Sequence, residues 1–233
     1  MSNRNILIAG ATSGIGLELS KLLSADNDTV HSFSRSTTHP DTAVQHTSID
    51  LSISAPESNQ LPETINGLVY CPGSINLKPF HRISADEWLQ ELNVNLLGAV
   101  RLLQAAHTGL KKSGSASVVL FSTVAVQTGM PFHASVSASK AAVEGLARSL
   151  AAEWAPGIRV NVIAPSLTDT PLAAKLLSSP EKRDAGALRH PLRRIGTAAE
   201  IAATAKFLLS DDASWITGQV IHSDGGMSSL RLL

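Results

Sequence analysis

Seven short apolar segments alternate with helix-like segments along the chain, and this alternation restricts the fold more than any other feature. Each apolar segment ends at glycine or polar residues, as buried strands do, and the seven read NILIAG, TVHSF, VQHTSID, GLVYC, SVVLFS, IRVNVIA and QVIHSDGG. Helices are expected at about 84–112, 135–154 and 197–209. The first and last open with Ser84 and Thr197, each followed three residues later by Glu, which is a capping box. The pattern predicts a parallel sheet with helices on both faces, in a single α/β domain over residues 1–233.

Composition narrows the classes of function. Hydrophobic residues make up 43% of the 233 residues, which favours a packed core over disorder. The formal net charge is zero, whereas a nucleic-acid or membrane-surface binder needs a basic excess, and no run of eighteen apolar residues could span a bilayer. The single cysteine, Cys71, excludes an internal disulfide and a multi-cysteine zinc site, and we assign no metal. The chain runs directly into an apolar strand without a signal peptide, so we expect a cytoplasmic protein.

The segment GATSGIG joins the first strand to the first helix. Glycines at such a turn let the backbone approach a pyrophosphate, and the helix N-terminus offers N–H donors and the positive end of its dipole. We therefore predict a dinucleotide-binding loop rather than a purely structural turn. Its cofactor contacts are assigned to Gly10, Thr12, Ser13, Gly14, Ile15 and Gly16.

Further motifs, in the same order along the chain, resemble those of the short-chain dehydrogenase/reductase family. The spacing G-x-x-x-G-x-G matches that family's glycine loop, YCPG retains one glycine of its strand-four motif, and NVNLLGA matches the segment with its active-site asparagine. RVNVIAPS and ITGQVIHSDGG resemble the family's last two strands. The resemblance covers essentially the whole chain. It implies a Rossmann-type doubly wound sheet of about seven strands, an oxidoreductase with a nicotinamide cofactor and a small-molecule substrate, and a homo-oligomer, either tetramer or dimer.

The resemblance also assigns roles to individual residues. It makes Asn95 the active-site asparagine and gives Asp50 and Leu51 the contacts to adenine. Further cofactor contacts fall on Gly73, Pro165, Ser166 and Thr170, with Ser166 standing where the family has glycine.

The end of the second strand bears on the choice of cofactor. NAD enzymes place a carboxylate there to bind the ribose hydroxyls, but this chain has Ser34 followed by Arg35. An arginine can bind a 2′-phosphate through two hydrogen bonds, although a solvated loop arginine is the alternative interpretation of Arg35. NADP(H) is therefore favoured, and NAD(H) stays possible.

The catalytic motif departs from the family pattern. The family uses a Ser, a Tyr that exchanges the proton and, four residues after the Tyr, a Lys that lowers the pKa of the Tyr and holds the nicotinamide ribose. Counting back from Lys140 puts Val136 in the tyrosine position and Thr123 in the serine position. Valine has no proton to give, and general acid catalysis is worth about 10²- to 10⁴-fold in rate.

Three explanations of the missing acid stay open. Another group replaces it, the substrate needs none, as with a protonated imine or a conjugated alkene, or the domain binds cofactor without turnover. His133 is the nearest titratable replacement, because an imidazole exchanges protons near neutral pH; a loop histidine without chemistry is the alternative. Cys71 is assigned no chemistry.

The segment 166–196 is the longest without strand character, and we expect it to form a lid over the substrate, with PLAAKLL as a helix that closes on the pocket. Its basic residues are consistent with an anionic substrate or with a solvated helix face. The sequence thus predicts an NADP(H)-dependent oxidoreductase acting on a small carbonyl, imine or enone. A cofactor-binding sensor or partner subunit without turnover, and a non-redox enzyme on the same fold, are the rival hypotheses.

Overall fold

A computed structural model describes residues 4–231. Its centre is a seven-stranded sheet in which all neighbouring strands are parallel. Six of the strands are β1 (Asn5–Ala9), β2 (Thr29–Ser34), β3 (Gln45–Ser48), β4 (Gly67–Tyr70), β5 (Ala116–Phe121) and β6 (Ile158–Pro165). The short strands β7 (Thr168–Asp169) and β8 (Gly196–Thr197) form a separate pair, and β9 (Val220–Ser223) completes the main sheet.

The strand order is β3-β2-β1-β4-β5-β6-β9, which confirms the doubly wound α/β prediction and its seven strands. The chain builds outward from β1 in one direction through β2 and β3, then returns to the other side of β1 at β4. In sheets of this kind a cleft opens at that reversal, beyond the carboxyl ends of the strands.

Helices cover both faces of the sheet. They are α1 (Gly14–Ala25), α2 (Ala85–Leu92), α3 (Gly98–Ser113), α4 (Ala125–Thr128), α5 (Ala134–Trp154), α6 (Pro180–Leu188) and α7 (Ala198–Leu209). Successive residues of β1 point to opposite faces, so that Leu7 joins the core beneath α3 and α5 while Ile6 and Ile8 join the core beneath α1 and α7. None of the helices within residues 4–231 is long and apolar enough to cross a lipid bilayer.

The helix expected at about 84–112 is present as α2 and α3, joined without a break by a π turn at Asn93–Leu97. Both predicted capping boxes form. Ser84 accepts from the backbone N–H of Glu87, and Thr197 accepts from that of Glu200. Each glutamate side chain accepts in return from the backbone N–H of its cap residue.

The prediction of a helix for PLAAKLL was wrong in its type. A 3₁₀ turn at Pro171–Ala173 and further turns occupy this stretch, and the regular helix of the segment is α6. Pro180 separates this stretch from α6, because a residue before proline is pushed out of the helical region. Ser179 is accordingly extended, with φ −141° and ψ 160°, and its hydroxyl caps α6 instead.

Candidate active site

A cavity of about 470 Å³ lies at the carboxyl edge of the sheet. The ends of β4, β5 and β6 form its floor, and the segment 166–196 supplies much of its wall. Eight residues assigned from the sequence line this cavity, namely Ile15, Gly73, Thr123, His133, Lys140, Pro165, Ser166 and Thr170.

The glycine loop has the geometry of a phosphate-binding turn. Gly10 has φ +78°, a conformation that L side chains rarely adopt, and a Cβ atom on Gly16 would lie 2.3 Å from the carbonyl oxygen of Gly10. The hydroxyl of Ser13, the N-cap of α1, makes no capping hydrogen bond. The first-turn N–H groups of a twelve-residue helix therefore face the loop without a side-chain acceptor from their own cap, which suits an anionic ligand.

Hydroxyl groups occupy the end of β2, where a carboxylate would bind the ribose of NAD. The Thr12 and Ser34 oxygens lie 3.4 Å apart, and the Ser36 hydroxyl lies 3.3 Å from Thr12. Arg35 is exposed beside them. Its guanidinium is close enough to Asp50 to lower the pKa of that carboxyl, although the Ser52 hydroxyl at 2.6 Å is the larger cause.

Not every residue assigned to the cofactor faces the cavity. Gly10, Gly14 and Gly16 belong to the loop beside it, and Ser34, Arg35 and Asp50 lie beyond β1, on its β2 and β3 side. The side chain of Leu51 is packed into the core, and its carbonyl oxygen accepts from Arg101 across 3.2 Å. Only the backbone of Leu51 is left to meet an adenine ring.

Asn95 is held rigidly in the π turn, next to the cavity floor. Its Oδ1 accepts from the backbone N–H of Ser74 at 3.1 Å, which fixes the orientation of the amide. Its Nδ2 lies 3.1 Å from Glu91 Oε2 and 3.2 Å from both the Ser74 and Ser139 hydroxyl oxygens. π turns interrupt helices preferentially at functional sites, and this one joins β4, α2 and α5 through a single side chain.

Lys140 projects from α5 toward the same point. A Cβ atom at Gly73 would lie 3.6 Å from Lys140 Nζ and 3.4 Å from Asn95 Oδ1, so both groups face the open side of this glycine. Burial lowers the pKa of Lys140 to about 8, while the nearby carboxyl of Glu91 raises it. Within residues 4–231 no ion pair or hydrogen bond occupies Nζ, which leaves an ammonium group free for a ligand hydroxyl.

Glu91 is a functional candidate that the sequence did not indicate. It is 3% exposed, and burial raises the pKa of its carboxyl while Ser74, Lys140 and Asn95 lower it. In the sequence it lies in SADEWLQEL, which is typical of a solvated helix face. Its spacing of four residues before Asn95 was the one available signal.

Val136, to which the sequence resemblance assigns the tyrosine position, offers no hydroxyl to the cavity. Val136 is 4% exposed and lines the cavity one helical turn before Lys140. Tyr70 is the sole tyrosine of the chain; it lies in the core, where its hydroxyl donates to the carbonyl of Val94 at 2.7 Å. Thr123 lines the cavity after β5, and its hydroxyl oxygen accepts from the backbone N–H of Ala125 at 3.3 Å.

His133 is the N-cap of α5 and lines the cavity with Val136 and Lys140. Its Nδ1 lies 2.7 Å from the carbonyl oxygen of Pro131, so Nδ1 carries the proton and Nε2 is left as an acceptor. Cys71 also lines the cavity, and burial raises the pKa of its thiol to about 12, which keeps it neutral.

A second histidine borders the cavity and was not singled out from the sequence. His190 is 2% exposed, and its Nε2 lies 2.8 Å from the hydroxyl oxygen of Ser166. The two residues are 24 positions apart, so no local pattern joins them. The serine in a glycine position was the only sequence signal at this point.

A doubly wound sheet, a glycine loop opening α1 and a cleft with lysine and asparagine at the strand ends define a dinucleotide-dependent oxidoreductase. A family model described as enoyl-(acyl carrier protein) reductase matches residues 47–228. The chain belongs to the short-chain dehydrogenase/reductase family, and it is an oxidoreductase of that type.

Known proteins similar to the chain cover nearly all of it. A tropinone reductase homologue from Arabidopsis thaliana is 36% identical over 98% of this chain and 94% of its own length. The 3-oxoacyl-(acyl-carrier-protein) reductase MabA from Mycobacterium tuberculosis is 32% identical over 97% of this chain and 93% of its own. The ligand-free aldohexose dehydrogenase of Thermoplasma acidophilum superposes with a TM-score of 0.90 at 27% identity, covering 99% and 96% of the two chains.

Proposed function

We propose that the protein is an NADP(H)-dependent reductase of a small carbonyl, imine or enone whose active site works without the family's tyrosine. The observation that carries this proposal is the convergence of Lys140 Nζ and Asn95 Oδ1 on Gly73, at the edge of a cavity that also contains Thr123. A structural lysine would be paired or solvated, whereas this one is 7% exposed and has no partner among the described residues.

The residues present fit a dinucleotide. The glycine loop and the N-terminus of α1 would bind the pyrophosphate, Arg35 the 2′-phosphate, and Lys140 a ribose hydroxyl beside the nicotinamide. Pro165, Ser166 and Thr170 would enclose the ring. When bound, the cofactor supplies or accepts the hydride. The protein's own part is to orient the substrate oxygen toward Thr123, to exclude water with the lid at 166–196, and to manage the proton.

Charges on the lid support a substrate with an anionic group. Lys175, Lys182 and Arg189 line the cavity, and within residues 4–231 no carboxylate pairs with any of them, whereas Arg183 is bound to Asp169 at 2.8 Å. Three unpaired cations around one opening favour a carboxylate or phosphate on the substrate, at the end remote from the reacting carbon.

A cofactor-binding protein without turnover is the second candidate. It is favoured by the apolar Val136 in the tyrosine position and by the burial of Tyr70 in the core. A non-redox enzyme on the same fold would share the cavity but use the cofactor, if at all, as a structural ligand.

Spectrophotometry separates these candidates. NADPH oxidation is followed over matched ketones, imines and enones, each tested with and without a carboxylate. Turnover on any of them, with the carboxylate form preferred, supports the reductase. Tight NADPH binding with no oxidation across the panel supports the sensor, and failure to bind either nicotinamide dinucleotide supports the non-redox enzyme.

The proposal includes a homo-oligomer, tetramer or dimer, and a cytoplasmic location. For the oligomer, the support is apolar surface on the long helices: Leu89 is 57% exposed and Leu97 is 40% exposed. The support for the cytoplasmic location comes from the sequence alone.

A further inference from the structure

We propose that Ser166 and His190 together replace the missing tyrosine as the proton donor, with Ser166 touching the substrate and His190 resupplying its proton. This inference rests on the proposed reductase function. It differs from the assignment of His133, which lies at the start of α5 and not in the segment 166–196.

The hydrogen bonds of His190 fix its tautomer. Nδ1 lies 2.8 Å from the carbonyl oxygen of Gly186, which can only accept, so Nδ1 carries a proton in every protonation state. Nε2 lies 2.8 Å from Ser166 Oγ and is the nitrogen that can gain or lose a proton. This is the arrangement in which a base is oriented on one side and shares a proton with a hydroxyl on the other.

The surroundings satisfy both states of the pair. With a neutral ring, the Ser166 hydroxyl donates to Nε2. With a charged ring, Nε2–H donates to Ser166 Oγ, and the hydroxyl proton turns to the Met227 sulfur at 3.0 Å. Because a thioether is a weak acceptor, a substrate oxygen in the cavity would displace it. The pair can therefore hold a proton and present it to a ligand without leaving any polar atom unsatisfied.

The position of the Ser166–His190 pair suits both the delivery of a proton to the substrate and the resupply of that proton. Ser166, His190 and Met227 all line the main cavity. Ser166 and His190 also line a smaller pocket of about 140 Å³ next to the exposed residues Arg194 and Glu200. The two residues thus form a wall between the substrate cavity and a second opening. The backbone N–H of Val124 donates to the carbonyl of Pro165 at 3.2 Å, which ties Ser166 to the strand end that carries Thr123.

The proposed step balances. The substrate carbon gains the hydride that the reduced cofactor supplies, and the C=O π bond breaks. The substrate oxygen takes the proton of Ser166 Oγ while Nε2–H of the His190 imidazolium passes to Oγ. The products are an alcohol, a neutral Ser166 and a neutral His190 that still donates through Nδ1. Ser166 never carries a charge, so the high pKa of an unassisted hydroxyl is no obstacle.

Charged groups around His190 come from several elements. The main cavity and the smaller pocket together contribute Lys140, Lys175, Lys182, Arg189, Arg194, Glu200 and Asp224. Arg194 is bound to Glu200, and the Asp224 carboxylate is occupied by Gly226 and Ser228. Because the proposed step starts from the His190 imidazolium, kcat is expected to fall with rising pH.

The first test uses the protein without cofactor, labelled with ¹⁵N-histidine. NMR should find one imidazole that is protonated at Nδ1 in its neutral form and gains a second proton reversibly as the pH is lowered. Loss of that signal in His190→Asn assigns it. A neutral His190 protonated at Nε2, or one that gains no second proton before the protein unfolds, overturns the inference.

The second test uses the substrate that the panel identifies. Ser166→Ala and His190→Asn should each lower kcat by about 10²-fold or more, with NADPH affinity kept in His190→Asn, and Ser166→Thr should restore part of the rate. The amide of asparagine can still donate to the carbonyl of Gly186, so His190→Asn removes only the function of Nε2. The fall of kcat with pH should therefore disappear in this variant. His81→Asn, an exposed histidine on a 3₁₀ turn, is the matched control. Unchanged kcat in both site variants overturns this inference alone, whereas no turnover by the unmodified protein overturns the proposed function and this step with it.

Discussion

Asn95 Nδ2 donates to Glu91 Oε2 across 3.1 Å, so a buried carboxyl group lies one helical turn behind the asparagine of the site. Its charge raises the pKa of Lys140 against the lowering effect of burial. Glu91 thus helps to keep the lysine an ammonium group near neutral pH, which is the form that can donate to a ribose hydroxyl.

Glu91→Gln should make NADPH affinity more sensitive to alkaline pH. Glutamine keeps the shape of the side chain but removes the charge, so the pKa of Lys140 should fall below its value of about 8. Fluorescence titration of NADPH from about pH 6 to 10 should show the loss of affinity beginning at lower pH than in the unmodified protein. Glu153→Gln, on the exposed face of α5, is the matched control. Superimposable profiles for Glu91→Gln and the unmodified protein would show that Glu91 has no influence on the lysine.

Arg35→Asp should reverse or abolish a preference for NADPH over NADH. The substitution removes a cation that can bind the 2′-phosphate and places a carboxylate one residue after the position at which NAD enzymes bind ribose hydroxyls. We expect the Kd for NADPH to rise by about tenfold or more, with NADH affinity unchanged or improved. Arg82→Asp, at an exposed 3₁₀ turn, should change neither value. Equal Kd values for the two cofactors in the unmodified protein would refute the NADP(H) assignment.

Val136→Tyr should produce or increase reductase activity on simple activated ketones. A phenol at this position stands one helical turn from Lys140 and opens on the cavity of about 470 Å³. The gain should stay below the 10²- to 10⁴-fold of a well-placed general acid, because the neighbouring side chains are shaped around valine. Val136→Phe has the same ring without the hydroxyl, so it should bind NADPH and gain nothing. Equal rates for the two variants would mean that the phenol does not act as an acid.

Lys140→Met should stabilise the cofactor-free protein while weakening NADPH binding. The pKa of Lys140 is about 8 in the folded protein against 10.5 for the free side chain, so folding disfavours its charge. This cost is complete below about pH 8 and disappears as pH rises to about 10.5, because stability rises wherever the unfolded chain binds more protons.

The expected gain for Lys140→Met is about 1–3 kcal/mol at pH 7, read from urea unfolding, and it should shrink toward pH 10. The control is Lys111→Met on the exposed end of α3, for which no change is expected. A destabilised Lys140→Met protein would mean that contacts of the aliphatic stem outweigh the cost of burying the charge.

Light scattering of the unmodified protein at micromolar concentration should report a dimer or a tetramer. Leu97→Lys puts a charge on the exposed apolar surface of the long helix and should shift the mass toward the monomer. Trp215 is 98% exposed and lies outside the two long helices. Trp215→Ser tests whether the surface around this residue also takes part in the assembly. A monomeric unmodified protein contradicts the proposed assembly.

The parts of the fold that local patterns determine could be predicted. The seven strands, the capping boxes at Ser84 and Thr197 and the glycine loop depend on residues within a few positions of one another, and all are found where they were expected. The segment 166–196 was harder, because the apolar pattern of PLAAKLL forms only turns and the regular helix begins at Pro180 instead. The functional role of Glu91 could not be predicted from the sequence, because charged residues on an amphipathic helix usually face water. Here the π turn and the packing of α5 bury its side chain. The pairing of Ser166 with His190 depends on the path of the segment 166–196, which no local pattern encodes.

The π turn at Asn93–Leu97 limits how this segment can change in length. A π turn holds one residue more than an α turn, so removing one residue there would let the helix run on in regular α geometry with α3 kept in register. A deletion at another point of the helix would rotate everything after it by about 100°. If it fell before Leu102, then Leu102, Leu103, Ala106 and Leu110 would turn away from the sheet beneath α3. Variation in chain length between related sequences is therefore expected in the surface loops or at the π turn itself, and not elsewhere in this helix.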